Sequence, residues 1–267
     1  MRNLRLVLAY DGSDFHGWQV QPGLPTVQGT LVDALARITG ERVLPQGSGR
    51  TDAGVHALAQ VASVGLESPI PAANLHTALN DVLPPSIRVL EVAEAAPDFH
   101  ARHSARSKTY RYRIHRAAIC LPFLARYVYH HPYPLDEAAM LQAALLLEGT
   151  HDFTSFAAVD PEPSRKTGST VPREEGAGRE AEEEGRIGNR RTIFSSVWER
   201  RGDELIYTVR GSGFLHHMVR NLVGTFLLIG KGSLDQSGLR RILELKQRSA
   251  AGATAPASGL YLVSVEY

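Results

Sequence analysis

Asp52 is the residue of this chain whose setting is best suited to chemistry. It stands in Gly49-Arg50-Thr51-Asp52-Ala53-Gly54-Val55-His56-Ala57, between Arg50 two residues before it and Gly54 two residues after it. An adjacent cation lowers a carboxylate pKa, and the ionised form is the one that attacks or accepts a proton. Glycines at positions 47, 49 and 54 let the backbone take conformations closed to other residues, or let a ligand come close. The plain alternative is an Asx-type turn between two strands.

A second chemical region is Phe99–Arg116. It holds Arg102, Arg106, Lys108, Arg111, Arg113 and Arg116, three histidines, two tyrosines and no acid. Cations interleaved with aromatics suit RNA, because cations meet phosphates while rings stack on splayed-out bases. The competing explanation is a solvated edge strand, where lysine and arginine discourage aggregation. A third region is Gly211-Ser212-Gly213-Phe214-Leu215-His216-His217-Met218-Val219-Arg220-Asn221. Arg220 lies at the margin of an apolar helical stripe, one to two turns from the expected helix start. A half-buried arginine needs a carboxylate, and Asp52 is the candidate. The competing explanation is an arginine whose stem covers core while its head reaches water. Of eleven histidines, none belongs to a His, Cys and carboxylate set at zinc-site spacing, and cationic neighbours repel a metal ion. No metal is expected. No Gly-x-Gly-x-x-Gly and no phosphate loop is present, so no nucleotide cofactor is expected.

These residues need elements to hold them. Residues 4–10 alternate as a buried strand. Thr26 is placed to cap a helix carrying Val27, Leu31, Leu35 and Ile38, with Gly40 ending it. Val43-Leu44 and Leu58–Leu66 are expected as strands flanking the Asp52 loop, 71–80 as helix and Ile87–Val92 as extended. In Lys108–Arg116, Tyr110, Tyr112 and Ile114 share one face, and Arg111, Arg113 and His115 the other. Asp136 starts a helix reaching Leu147. Ile193–Trp198 and Leu205–Arg210 form a hairpin pair. Leu215–Ile229 and Gly238–Arg248 are helices, and Tyr261–Tyr267 a closing strand. Strands and helices mix without βαβ alternation, which indicates an α+β fold with largely antiparallel pairing. Residues 160–190 are rich in Pro, Gly, Ser, Glu and Arg, and Glu174–Glu184 carries six glutamates against one arginine. That composition buries too little to offset its ordering entropy, so a mobile insertion is expected.

The 267 residues have a net charge of +1 and are 43% hydrophobic. Any nucleic-acid contact must therefore use a local patch. Cys120 is the one cysteine, so no intrachain disulfide forms and a reducing compartment fits. No signal-peptide pattern and no run near ~18 apolar residues occurs. A soluble, cytoplasmic protein without membrane association is expected.

The chain resembles the tRNA pseudouridine synthase A family. Gly49–Ala57 is similar to that family's catalytic loop. Collinear matches flank it: Tyr10-Asp11-Gly12 with Phe15, Gly17-Trp18-Gln19 and Gln21; Thr26-Val27-Gln28-Gly29; Leu79-Asn80 with Leu83-Pro84; Phe99-His100-Ala101-Arg102; Lys108 with Tyr110-Arg111-Tyr112; His151–Phe156; Arg191-Thr192-Ile193; Phe214–Asn221; and Gly259-Leu260-Tyr261-Leu262. The resemblance spans nearly the whole chain except 160–190.

It implies two pseudo-symmetric halves, each RRM-like or ferredoxin-like, sharing one continuous antiparallel sheet with a central active-site cleft. Residues 1–104 would form the half with the Asp52 loop and residues 105–267 the other. It implies an isomerase acting as a homodimer on tRNA, converting uridine to pseudouridine at positions 38 to 40 of the anticodon stem-loop without cofactor. Asp52 matches the essential aspartate, Arg50 and Arg220 the active-site arginines, and Tyr110 the tyrosine against the target base. Phe99, His100, Ala101, Arg102 and His103 match an RNA-contacting strip, with Arg102 on phosphate. Asp52 would attack C1′ or C6, or remove a proton to open a glycal route; the residues do not choose. Position 103 departs from the family's usual aromatic, and the insertion enters where another RNA-contacting stretch, Asp160 to Arg165, is expected. Two competing functions remain at this level. One is a non-catalytic RNA-binding module. The other is a hydrolase with an aspartyl nucleophile, which needs a metal or second acid that is not evident.

Overall fold

The computed structural model describes residues 1–158 and 188–267. The expected insertion at 160–190, and the Asp160–Arg165 stretch within it, fall almost entirely outside those residues.

Alternation builds the first strand, β1 (Arg2–Tyr10): Leu4, Leu6, Leu8 and Tyr10 are buried and the residues between them are not. In helix α1 (Val27–Thr39), Thr26 Oγ1 accepts from the Gly29 N–H at 3.2 Å, and Gly40 ends the helix in the left-handed region at φ 79°. Strands β2 (Gln46–Gly47) and β3 (His56–Leu66), helix α2 (Ala72–Val82) and strand β4 (Ile87–Glu94) complete the first half. Its strand order is β4-β1-β3-β2.

The second half starts with β5 (Ser107–His115). A short helix α3 (Pro122–Ala125) and strand β6 (Tyr129–His130) precede α4 (Glu137–Leu145), which is capped by Asp136. Strands β7 (Gly149–Asp152), β8 (Arg190–Arg201) and β9 (Glu204–Gly211), helices α5 (Met218–Gly230) and α6 (Gln236–Leu245), and strand β10 (Leu260–Glu266) follow. The order β10-β5-β9-β8 repeats the first-half pattern, and β7 adds an edge. The core runs under both halves. Leu6, Leu8, Leu31 and Leu79 belong to it on one side, and on the other Trp198, Tyr207 and Phe226 pack their rings within 5.8 Å of each other.

Four expectations change. The sheet is continuous, but its seam is parallel: β10 pairs β3 through Tyr261–His56 and Leu262–Ala57. Strand β10 runs antiparallel to β5 within its own half, and in that direction it lies parallel to β3. Val43-Leu44 is not a strand; pairing begins only at Gln46, after Pro45, which lacks an N–H for a ladder. Helix α5 starts at Met218 instead of Leu215 because His217 takes a left-handed φ of 59°, which interrupts a right-handed helix. Arg220 is therefore in the first turn. His115 is buried rather than outward, because β6 and the 117–121 loop fold over it: Nε2 lies 3.3 Å from the Ile119 carbonyl, and its own carbonyl accepts from His131.

Candidate active site at the seam of the two halves

The Asp52 loop enters β3 where β3 meets β10. Its backbone is held from both sides. The Trp18 N–H donates to the Thr51 carbonyl at 3.0 Å, the Gly54 N–H to the Phe15 carbonyl at 3.2 Å, and the Val55 N–H to the Asp52 carbonyl at 3.1 Å. Gly54 takes φ 76° to close this turn. Tyr10 Oη and Thr51 Oγ1 share a buried hydrogen bond of 2.8 Å. A Cβ on Gly12 would lie 2.0 Å from the Val55 carbonyl oxygen, so the Tyr10-Asp11-Gly12 backbone can lie this close only without a side chain. From the second half, the Lys108 ammonium donates to the Ser48 carbonyl.

A second clasp fixes the far end of the loop. The Gly12 N–H donates to His56 Nδ1 at 3.1 Å, and His56 Nε2 faces the Arg126 carbonyl at 3.1 Å. The His56 ring stacks on Tyr261 at 4.8 Å. The Tyr127 hydroxyl donates to Asp11 Oδ2 at 2.9 Å. Burial pushes the His56 imidazole below its ordinary value of 6.5, although Asp11 beside it pulls the other way. Burial raises the Asp11 carboxyl, but hydrogen bonds from Ser13 and Tyr127 outweigh it and leave it below the ordinary value.

The Asp52 side chain is 18% exposed, and Arg220 Nη1 donates to its Oδ2 at 3.0 Å. The ion pair expected from the sequence is present and joins the two halves. Arg220 Nε donates to the Ala255 carbonyl at 2.8 Å, and the Ala255 N–H to the Arg220 carbonyl at 3.1 Å. Arg248 in turn holds that loop, donating to Asn221 Oδ1 at 2.8 Å and Thr254 Oγ1 at 3.0 Å. The Arg50 cation is not the one on Asp52: its side chain is exposed, and among the described residues the ion pairs of Asp52 run to Arg220, His216 and His217.

Tyr110 comes from β5 and is 8% exposed, with its ring edge on Phe214 at 4.9 Å. Burial pushes its phenol well above the ordinary value, and Tyr10 and Asp52 add to this. The 99–103 strip forms a turn beyond β4. Phe99 packs on Tyr267 at 4.9 Å, and His100 Nδ1 accepts from the Arg102 N–H at 3.1 Å. Arg102 is half-buried and His103 exposed. Ala101 turns inward, fully buried, with its N–H on Ser63 and its carbonyl accepting from Tyr267. It anchors the strip and offers no side chain to a ligand.

Sequence spacing did not place His216 and His217 on Asp52. Their Nε2 atoms lie 3.5 Å from Oδ1 and 3.4 Å from Oδ2. The donor atoms of the three residues lie within 4.8 Å of one another, close enough to consider a metal. The Arg220 guanidinium holds the same carboxylate, and a cation set between them would face that charge. The trio suits proton handling rather than a metal centre.

Comparison with known proteins decides the family. Residues 6–104 and 143–267 match the family described as tRNA pseudouridine synthase. The chain belongs to that family. It is 52% identical over 267 residues, all of both chains, to tRNA pseudouridine synthase A of Solibacter usitatus. It is 44% identical to that of Moorella thermoacetica, over 99% of each chain. It is 43% identical to that of Halalkalibacterium halodurans, over 97% of this chain and 90% of the relative. The match takes in the first half from residue 6 and the second from residue 143, so Asp52 and Arg220 fall inside it and Tyr110 outside.

Proposed function

We propose that the protein isomerises uridine to pseudouridine in tRNA, at positions 38 to 40 of the anticodon stem-loop, with Asp52 as the group that acts on the substrate. The observation that carries this reading is the Asp52 carboxylate at the seam, with Oδ2 on Arg220 at 3.0 Å and Oδ1 not engaged by that guanidinium. The relatives are tRNA pseudouridine synthases A, and the loop that bears Asp52 falls inside the family match. A purely binding role leaves the half-buried Arg220–Asp52 pair without a use.

The reaction breaks N1–C1′, turns the uracil and forms C5–C1′. The target base must first leave its stack, at a cost of a few kcal/mol. Arg50, exposed beside the loop, is placed to meet the RNA backbone. Tyr110 and Phe214 offer an apolar wall to the base. Asp52 attacks C1′ or C6, or removes a sugar proton, and the fixed Arg220 orients it without reorganisation during the reaction. The Phe99–His103 strip and Arg111 of β5 meet phosphates, with Arg102 as the main phosphate contact, while Lys108 and Arg113 are held by the Ser48 carbonyl and Glu204. The chemistry needs no cofactor. The working unit is a homodimer in the cytoplasm that grips one tRNA across both subunits. Among the described residues no helix is long and apolar enough to cross a membrane.

Position-resolved mapping tests the reading. After incubation with unmodified tRNA, pseudouridine is expected at positions 38 to 40 of the anticodon stem-loop. Pseudouridine only elsewhere, or none, would refute the site assignment.

A further inference from the structure

Uridine and pseudouridine differ by more than the glycosidic bond: one proton leaves C5 and one joins N1. Once C5–C1′ has formed, C5 holds four single bonds and the ring carries N1=C6. Removing the C5 proton leaves its electron pair as the C5=C6 bond. The N1=C6 pair then moves onto N1, which takes a proton. On the C6 route the N1 pair first expels the Asp52 carboxylate from C6, breaking C6–O and giving the same N1=C6 ring. Every route then loses the C5 proton and needs a base near the ring.

Few groups in the cleft can supply one. Arg50 and Arg220 present guanidinium donors and no acceptor. Burial pushes the Tyr110 phenol up, so it holds its proton. The Lys108 ammonium is spent on the Ser48 carbonyl. Asp52 has one oxygen on Arg220 and works at the earlier steps. His216 and His217 remain, their rings 4.0 Å apart at 36°.

We propose that His217 is the base that takes the C5 proton in the closing step, an inference that rests on the uridine-isomerising reading above. Its Nε2 lies 3.4 Å from Asp52 Oδ2 and its side chain is 27% exposed, less than the 36% of His216. Its backbone sits at φ 59°; the other non-glycine residue with positive φ among those described is Lys246. Such a conformation is strained for a residue with a side chain and persists where surroundings hold it. Here it falls at the start of α5, where the His217 carbonyl accepts the Asn221 N–H at 2.9 Å as an ordinary helix bond, and the ring lies against the Asp52 carboxylate. Burial pushes the imidazole below its ordinary value, Asp52 opposes this, and His216, Arg220 and Arg248 push further down. A neutral imidazole is the form that accepts a proton. The proton then goes to solvent, past the more exposed His216 ring 4.0 Å away, and N1 takes its proton from the same pool.

The test uses His217→Asn and His217→Gly, both compatible with a left-handed backbone. For each, kcat on tRNA is expected to fall about 10²–10⁴-fold with KM unchanged. Uridine deuterated at C5 should then show a large primary isotope effect that the parent protein lacks. A tRNA carrying 5-fluorouridine has no C5 proton to lose, so both variants should form its C5–C1′ linkage as fast as the parent. Added imidazole should restore turnover to His217→Gly. Unchanged kcat, or equal slowing on uridine and 5-fluorouridine without an isotope effect, would overturn the assignment. Asp52→Asn must arrest both substrates; if it does not, the underlying isomerase reading fails, and the His217 result is not the cause.

Discussion

Arg220 makes two directional bonds at once, one to Asp52 and one to the Ala255 carbonyl. A lysine can carry the charge but cannot hold both partners in a fixed plane. Arg220→Lys is therefore expected to lose rate while folding normally. Arg220→Ala should lose about 10²–10³-fold in kcat, measured by single-turnover pseudouridine formation; activity within a few-fold of the parent would count against the pairing as a catalytic device. This contact was legible in the sequence because an arginine on an apolar stripe must find a carboxylate, and Asp52 already stood in a special loop. The role of Arg50 as the neighbouring cation was misjudged, because proximity in the chain does not aim a side chain across a tight turn. His216 and His217 on the carboxylate were not legible. Their approach depends on where the seam brings α5, and on a left-handed residue that no pattern marks.

At the scale of elements, the loop is positioned by close backbone contact more than by side chains. Gly12→Ala sets a methyl against a carbonyl that backbone pairing prevents from yielding. A loss of about 1–3 kcal/mol in stability is expected, and a larger loss of activity, since the displaced carbonyl is three residues from Asp52. Thermal melting together with tRNA turnover checks this. The clasp around His56 adds a pH dependence. Its folded pKa lies below its ordinary value of 6.5, so the unfolded chain binds more protons below that pH. The stability linked to it is complete above the ordinary value and is lost as pH falls from there through the lower folded value. Asp11, also depressed, continues the loss at lower pH. The Tm of the parent should therefore drop more steeply from pH 7 to pH 5 than that of His56→Gln. Parallel curves would show that the clasp does not titrate. Caps made most elements readable: Thr26, Gly40 and Asp136 bound their helices as expected. The errors fell at Pro45 and at His217, where one residue changes the backbone's course.

Taken whole, the molecule is two copies of one strand order joined along a parallel seam, with the Asp52 loop on one side of the join and Arg220 on the other. Composition and alternation announced the mixed fold, and the basic, acid-free stretch from Phe99 to Arg116 is the surface proposed to meet tRNA. The seam itself was not readable, because it pairs strands from different halves through only two residue pairs. The near-neutral net charge requires tRNA affinity to come from this local surface. Arg102→Ala should weaken tRNA binding and lower the slope of log K against log salt by about 1; an unchanged slope would remove Arg102 from the phosphate contacts. The central claim is that Asp52 does the chemistry on a substrate that other residues hold. It is tested most directly by measuring pseudouridine formation and tRNA affinity together for Asp52→Asn. The account expects product formation to fall about 10⁴-fold or more while Kd for tRNA stays close to that of the parent. Substantial remaining turnover, or binding lost in step with turnover, would contradict it.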